Sequence, residues 1–139
     1  MGRLLATLIT PHLKDQFDPI DLLIPMPLSA ERMKSRGYNQ AAVITSHVAE
    51  LTSWPYVPKA LKKIKDTESQ VHLTVDERMA NLDGAFEAEP YLVSGKRVLI
   101  LDDVFTTGAT MRQATKALKS AGAEKIFAVT IARTLLIHE

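Results

Sequence analysis

The chain has 139 residues, 46% hydrophobic and 24% charged, with a formal net charge of +1 at pH 7 and no cysteine. That balance suits one folded domain over residues 1–139, and it excludes a globally basic nucleic-acid-coating protein, an acidic disordered chain and any disulfide or thiolate chemistry. With no signal-like leader and no apolar stretch of the roughly 20 residues that a spanning helix needs, the expected location is the cytoplasm, without a membrane anchor.

In chain order, Leu4, Leu5, Leu8, Ile9 and Leu13 recur at helical spacing and predict an amphipathic helix within residues 1–15, with Pro11 behind the apolar run. Asp21-Leu22-Leu23-Ile24, closed by Pro25-Met26-Pro27, predicts a buried strand that gives way to loop. Ala41, Ile44, Val48 and Leu51 share one face, which predicts a helix over 39–52 that ends at Trp54-Pro55. Residues 65–81 are polar and irregular apart from a turn of helix around Asp76 to Asn81. They predict a mobile loop of a length more often functional than idle.

Val98 to Leu101 is a pure aliphatic run, the pattern of a strand buried on both faces in the middle of a parallel sheet. Met111, Ala114, Leu118 and Ala121 then mark a helix from Ala109 to Ala121, with Gly122 just past its end, and Ile126 to Ile131 reads as another buried strand. The expected fold class is therefore α/β, an open, mostly parallel twisted sheet with helices on both faces.

Open α/β sheets bind ligands beyond the carboxyl ends of their strands, where Asp102-Asp103 and Thr106-Thr107-Gly108-Ala109-Thr110 fall. The glycine allows close backbone approach, the hydroxyls donate, and the helix N-terminus that follows favours an anion, so the turn reads as a phosphate cradle. Taken alone, Thr106 or Thr107 could equally be an ordinary N-cap. The acid pair favours the cradle, because two adjacent carboxylates at the end of a buried strand need a partner, and a sugar diol or a hydrated Mg²⁺ would supply one. The four histidines show no ligand-like spacing.

The stretch from Val98 to Thr110 resembles the phosphoribosyl-pyrophosphate motif of type I phosphoribosyltransferases. The resemblance implies that fold, with Asp102 and Asp103 on the ribose 2′ and 3′ hydroxyls and on Mg²⁺ through water or substrate. It implies the 5′-phosphate on Thr106, Thr107, Gly108, Ala109 and Thr110. Phe105 replaces a smaller aliphatic, and Thr106 stands where several purine-using relatives carry an acid, so no purine acceptor is indicated. Pro25-Met26-Pro27-Leu28, Arg36-Gly37-Tyr38-Asn39-Gln40, and Lys65, Thr67, Gln70, Leu73, Arg78 and Asn81 are similar to the ComF branch of that superfamily, over roughly residues 20–134. Members commonly carry an N-terminal four-cysteine zinc segment, for which this sequence has no cysteines.

The implied donor is 5-phosphoribosyl-1-pyrophosphate (PRPP), with Arg36, Gly37 and Lys65 towards its pyrophosphate, and Lys65 and Arg78 beside the acid pair as catalytic groups. Tyr38, Asn39 and Gln40 are expected on the acceptor side. Each has a plainer reading: surface cations are usually solvated, Gly37 serves the backbone, and Tyr38 packs. The implied role lies in DNA uptake and transformation, through phosphoribosyl transfer or through PRPP-regulated handling of single-stranded DNA or DNA-processing proteins. Lys59, Lys62, Lys63 and Lys65 form a candidate phosphate-contacting cluster. A homodimer is also expected.

Overall fold

The computed structural model describes residues 2–65, 74, 76–77, 83–103 and 108–131. The first element is helix α1 (Gly2–Phe17), which runs through Pro11. Proline removes one helical hydrogen bond there, and burial of Ile9 and Leu13 offsets that loss. The buried face differs from the expected one. Gly2, Ala6, Ile9 and Leu13 point inward, while Leu4 and Leu8 are 64% and 50% exposed. The reason is a close helix crossing: a Cβ on Gly2 would stand 2.8 Å from Val43 Cγ1, so small residues rather than leucines occupy the contact.

Strand β1 (Leu22–Pro25) is buried throughout, as its apolar run requires. A helix not foreseen from the sequence follows, α2 (Ala30–Arg36), which buries none of its residues and is defined by its ends. The Ser29 hydroxyl accepts from the Arg32 N–H at 3.1 Å, and Gly37 closes the helix at φ +80°. Helix α3 (Gln40–Thr52) matches the expected span and buries Ala41, Ile44 and Val48 against the sheet and α1, while Leu51 on the same predicted stripe is about half exposed.

The stretch after α3 lies along the free edge of β1. The Leu23 N–H donates to the Pro55 carbonyl at 2.8 Å and the Val57 N–H to the Leu23 carbonyl at 3.1 Å. Trp54 is buried beside them and donates its indole N–H to Asp18 Oδ1 at 2.9 Å. A 3-10 turn (Pro58–Ala60) leads into β2 (Leu61–Lys63), which pairs antiparallel with β3 (Phe86–Ala88). Between them Asp76 and Glu77 are helical, with reciprocal Thr74–Glu77 capping bonds at 3.1 and 3.2 Å, in the stretch where a helical turn was expected. The rest of the expected 65–81 loop after Lys65 lies outside the described residues.

A short helix α4 (Pro90–Val93) precedes β4 (Arg97–Asp102), and α5 (Ala109–Ser120) connects onward to β5 (Lys125–Thr130). β4 is the central strand, parallel to β1 on one side and to β5 on the other. Strand alternation divides the core into two layers. Leu22, Ile24, Val98 and Ile100 pack with Ala114 and Leu118 of α5 and with Leu61 and Phe86 of the hairpin. Leu23, Leu99 and Leu101 pack with α1, α3 and Trp54. The fold is thus an open parallel sheet with helices on both faces, and β1 and β4 deliver their carboxyl ends side by side, Pro25 opposite Leu101.

Candidate functional site

Asp102 closes β4 opposite Thr130 of β5, and Asp103 follows immediately. Both are half-buried, and the Asp103 N–H donates to Asp102 Oδ1 at 2.9 Å. The Asp102 pKa is pushed up to about 7, first by burial and then by the hydrogen bond to the Asp103 side chain and by its charge. The Asp103 backbone N–H and the Lys63 ammonium oppose the rise. A carboxyl held near neutrality in this way seeks a cation or donors, and two hard oxygen-bearing groups side by side suit a hydrated Mg²⁺ or a diol. Among the described residues no group of three or more acids, histidines or cysteines is gathered, so such an ion would share its coordination with ligand oxygens.

On the other side of the gap, Gly108 caps α5 at φ +81°, a conformation that side chains disfavour, and its carbonyl accepts the Arg112 N–H at 2.9 Å. Ala109 and Thr110 form the first turn, half-buried, with no acid in it to oppose an anion. The acid pair and this helix end belong to one connection, in the crevice beyond the sheet. Thr106 and Thr107, members of the expected cradle, lie outside the described residues, as do Phe105 and Arg78.

The Met26 N–H donates to the Leu101 carbonyl at 2.7 Å, which seats Pro25-Met26-Pro27 beside the acid pair. Asn39 then ties the next helix to this loop: its amide donates to the Met26 carbonyl at 3.0 Å and accepts from the Ala42 N–H at 3.2 Å as the α3 cap. Both ends of the Asn39 amide are therefore occupied in holding α3 against the rim of the crevice. Gln40 is half-buried beside it, whereas Arg36 and Tyr38 are exposed. Gly37 meets nothing within 4 Å of its would-be Cβ, so its positive φ, not close packing, is what calls for glycine.

Lys65 donates to the Asp83 carbonyl at 2.9 Å, and Lys116 Nζ lies 3.4 Å from Asp83 Oδ1, so the open end of the hairpin is fastened to α5. Between hairpin and helix lies a cavity of about 330 Å³ lined by Gly84, Phe86, Ala88, Gln113, Ala117 and Ser120 among others, and neither member of the acid pair lines it. Lys63 stands apart from the other lysines of the cluster expected from the sequence. Grouped there with Lys59, Lys62 and Lys65, it is set apart by the pleat, half-buried where Lys62 is exposed. Alternation along three residues was a weak signal inside a run of lysines.

This is the architecture of a phosphoribosyltransferase, and the chain belongs to the phosphoribosyl transferase domain family, which matches residues 34–135. It is 34% identical over 119 residues to competence protein F of Haemophilus influenzae, a match covering 81% of this chain and 50% of that protein. It is 30% identical over 115 residues to the DNA utilization protein YhgH of Escherichia coli K12, covering 83% of this chain and 50% of that one. The chain thus spans about half the length of the curated relatives it matches. The structure of the allosteric regulatory enzyme of purine biosynthesis superposes with a TM-score of 0.60 at 22% identity, over 94% of this chain and 26% of that one. Among the described residues no helix is long and apolar enough to cross a membrane.

Proposed function

We propose that the protein binds PRPP with Mg²⁺ and transfers its phosphoribosyl group to a nitrogen nucleophile. The observation that carries this reading is the acid pair on the central strand, followed after a few residues by a glycine-capped helix N-terminus, inside a phosphoribosyl transferase domain. Asp102 and Asp103 would hold the ribose 2′ and 3′ hydroxyls and, through water or ligand oxygens, the metal. Gly108, Ala109 and Thr110, with Thr106 and Thr107, would hold the 5′-phosphate.

Arg36, Gly37, Lys65 and Arg78 are assigned to the pyrophosphate side, and Tyr38 and Gln40 to the acceptor side, where Asn39 fixes the loop. The nucleophile attacks C1, the bond to the pyrophosphate oxygen breaks, and pyrophosphate leaves with its electron pair. Orientation of both reactants and charge stabilisation by these side chains supply the catalysis. Bound magnesium would neutralise charge on the leaving pyrophosphate. Residues 1–139 would work as a single cytoplasmic domain, alone or as a homodimer.

The names of its relatives support a place in DNA uptake or use. They also favour a second reading, a non-catalytic PRPP-regulated factor that handles single-stranded DNA or DNA-processing proteins, with exposed Lys59 and Lys62 among its phosphate contacts. Calorimetric titration with PRPP, with and without Mg²⁺, tests the first reading. Metal-dependent binding that is lost in an Asp102→Asn, Asp103→Asn double variant is expected, and a folded wild type that binds no PRPP would refute it. Pyrophosphate release on adding acceptors then separates catalysis from regulation. Steeply salt-dependent binding to single-stranded DNA, weakened by replacing Lys59 and Lys62, would favour the second.

A further inference from the structure

One edge of β3 has no partner strand among the described residues. On its other edge the Glu89 N–H donates to the Ala60 carbonyl at 2.9 Å and the Ala85 carbonyl accepts the Ile64 N–H at 2.7 Å, with Glu87 opposite Lys62 between them. Residues that bond across an antiparallel ladder alternate. Ala85, Glu87 and Glu89 therefore turn their backbone groups towards β2, and Phe86 and Ala88 turn theirs away from it. Among the described residues nothing bonds to the N–H or C=O groups of Phe86 and Ala88. That bare edge opens onto the cavity of about 330 Å³ between hairpin and helix: Phe86, Glu87 and Ala88 line it in succession, and Gln113, Ala117 and Ser120, at helical spacing on α5, form the facing wall. The groove also has a charge. Asp83 and Lys116 offset each other at 3.4 Å, whereas Glu87 is exposed and has no ion pair among the described residues.

We propose that this groove is a docking site for an extended segment of a partner protein, which adds to the free edge of β3 as a further strand. A bare strand edge beside a helix supplies what such a segment needs, backbone donors and acceptors along one wall and room for side chains along the other. The backbone of the segment bonds to Phe86 and Ala88. Its side chains alternate: those beside Phe86 and Ala88 turn inward over the small residues Ala117 and Ser120 and are apolar, and the one between them turns outward beside Glu87 and is basic. The partner is thus recognised by an apolar, basic, apolar order in extended form. An edge of three residues makes a small contact, suited to a transient complex. Neither Asp102 nor Asp103 lines the groove, so this site does not depend on the donor-binding reading.

The test is selection from a random peptide library on the whole protein, followed by fluorescence anisotropy on the selected peptides. They are expected to share the apolar, basic, apolar order. Ala88→Pro removes an edge-facing N–H that takes no part in the β2 ladder, a position where an edge strand tolerates proline. It is expected to weaken the selected peptides by about tenfold or more, through one lost hydrogen bond and the bulk of the ring, while melting temperature and PRPP binding stay unchanged. Glu87→Lys, an exposed change, should weaken them too and should select acidic residues at the central position in a fresh round. Selection of no peptide, or of peptides without the alternating order, would overturn the proposal. So would equal peptide binding by folded Ala88→Pro and Glu87→Lys proteins. A dimer of the wild type that Ala88→Pro dissociates would give the edge to a second copy of this chain and overturn it as well.

Discussion

Asp102 joins a strand-end position to a carboxyl whose pKa is raised to about 7, chiefly by burial and by Asp103. A raised acid holds its proton in the folded state where the unfolded chain has released it. Its contribution to stability is therefore greatest below the ordinary carboxylate range and is lost as pH rises through about 7. Ligand binding has the opposite sign, because a metal ion or a diol is held by the ionised form. Mg²⁺-dependent PRPP affinity is expected to climb from pH 6 to pH 8 and then level off. Titrations in buffers of different ionisation heat should show proton release at pH 6 and little at pH 8, and equal release at both would remove Asp102 from the binding step.

Gly37 and Gly122 separate two uses of glycine at the same scale. Gly37 has open space around it, so Gly37→Ala is expected to cost about 1 kcal/mol from the left-handed backbone alone. At Gly122, with φ +96° and a Cβ that would stand 3.0 Å from Ser94 Oγ, the same change adds a tight contact and should cost more. Urea denaturation of the two variants side by side checks the order.

Among the elements, β1, β4, α3 and α5 were legible in the sequence because each carries its own period, a continuous aliphatic run or apolar residues at helical spacing. β5 was legible as a strand but not, as expected, as a buried one: it pairs with β4 alone among the described strands, and of its residues only Val129 is buried. Helix α2 was not legible, since it buries none of its residues and leaves no hydrophobic pattern; only Ser29 and Gly37 mark its ends. Removing the cap with Ser29→Ala should destabilise α2 by about 0.5 to 2 kcal/mol, seen as faster hydrogen exchange confined to residues 30–36. The hairpin escaped notice because its strands are three residues long and one inward position is Lys63. The acid pair was legible because adjacent aspartates after four aliphatics are chemically conspicuous, whereas Lys63 needed the pleat. Lys116→Ala, which breaks an exposed contact to Asp83, is expected to change stability by less than about 1 kcal/mol.

At the scale of the whole molecule, β4 is the shared wall of both core layers, so a defect there weakens each side. Leu99→Ala, fully buried on the α1 and α3 side, is expected to cost about 2 to 5 kcal/mol and to lower the melting temperature markedly. Ala114 on the α5 side has little side chain to lose, which makes Leu118→Ala the matching test of the other layer.

The layer behind the sheet also contains the chain's single tryptophan. Trp54 is 7% exposed, its indole bonded to Asp18, on the sheet face away from the hairpin and α5. Its emission therefore reads the α1 and α3 layer in isolation, blue-shifted while that layer is intact and red-shifted once water reaches it. The protein thus carries its own optical gauge, which should stay silent during ligand titrations and respond only when the back of the sheet opens.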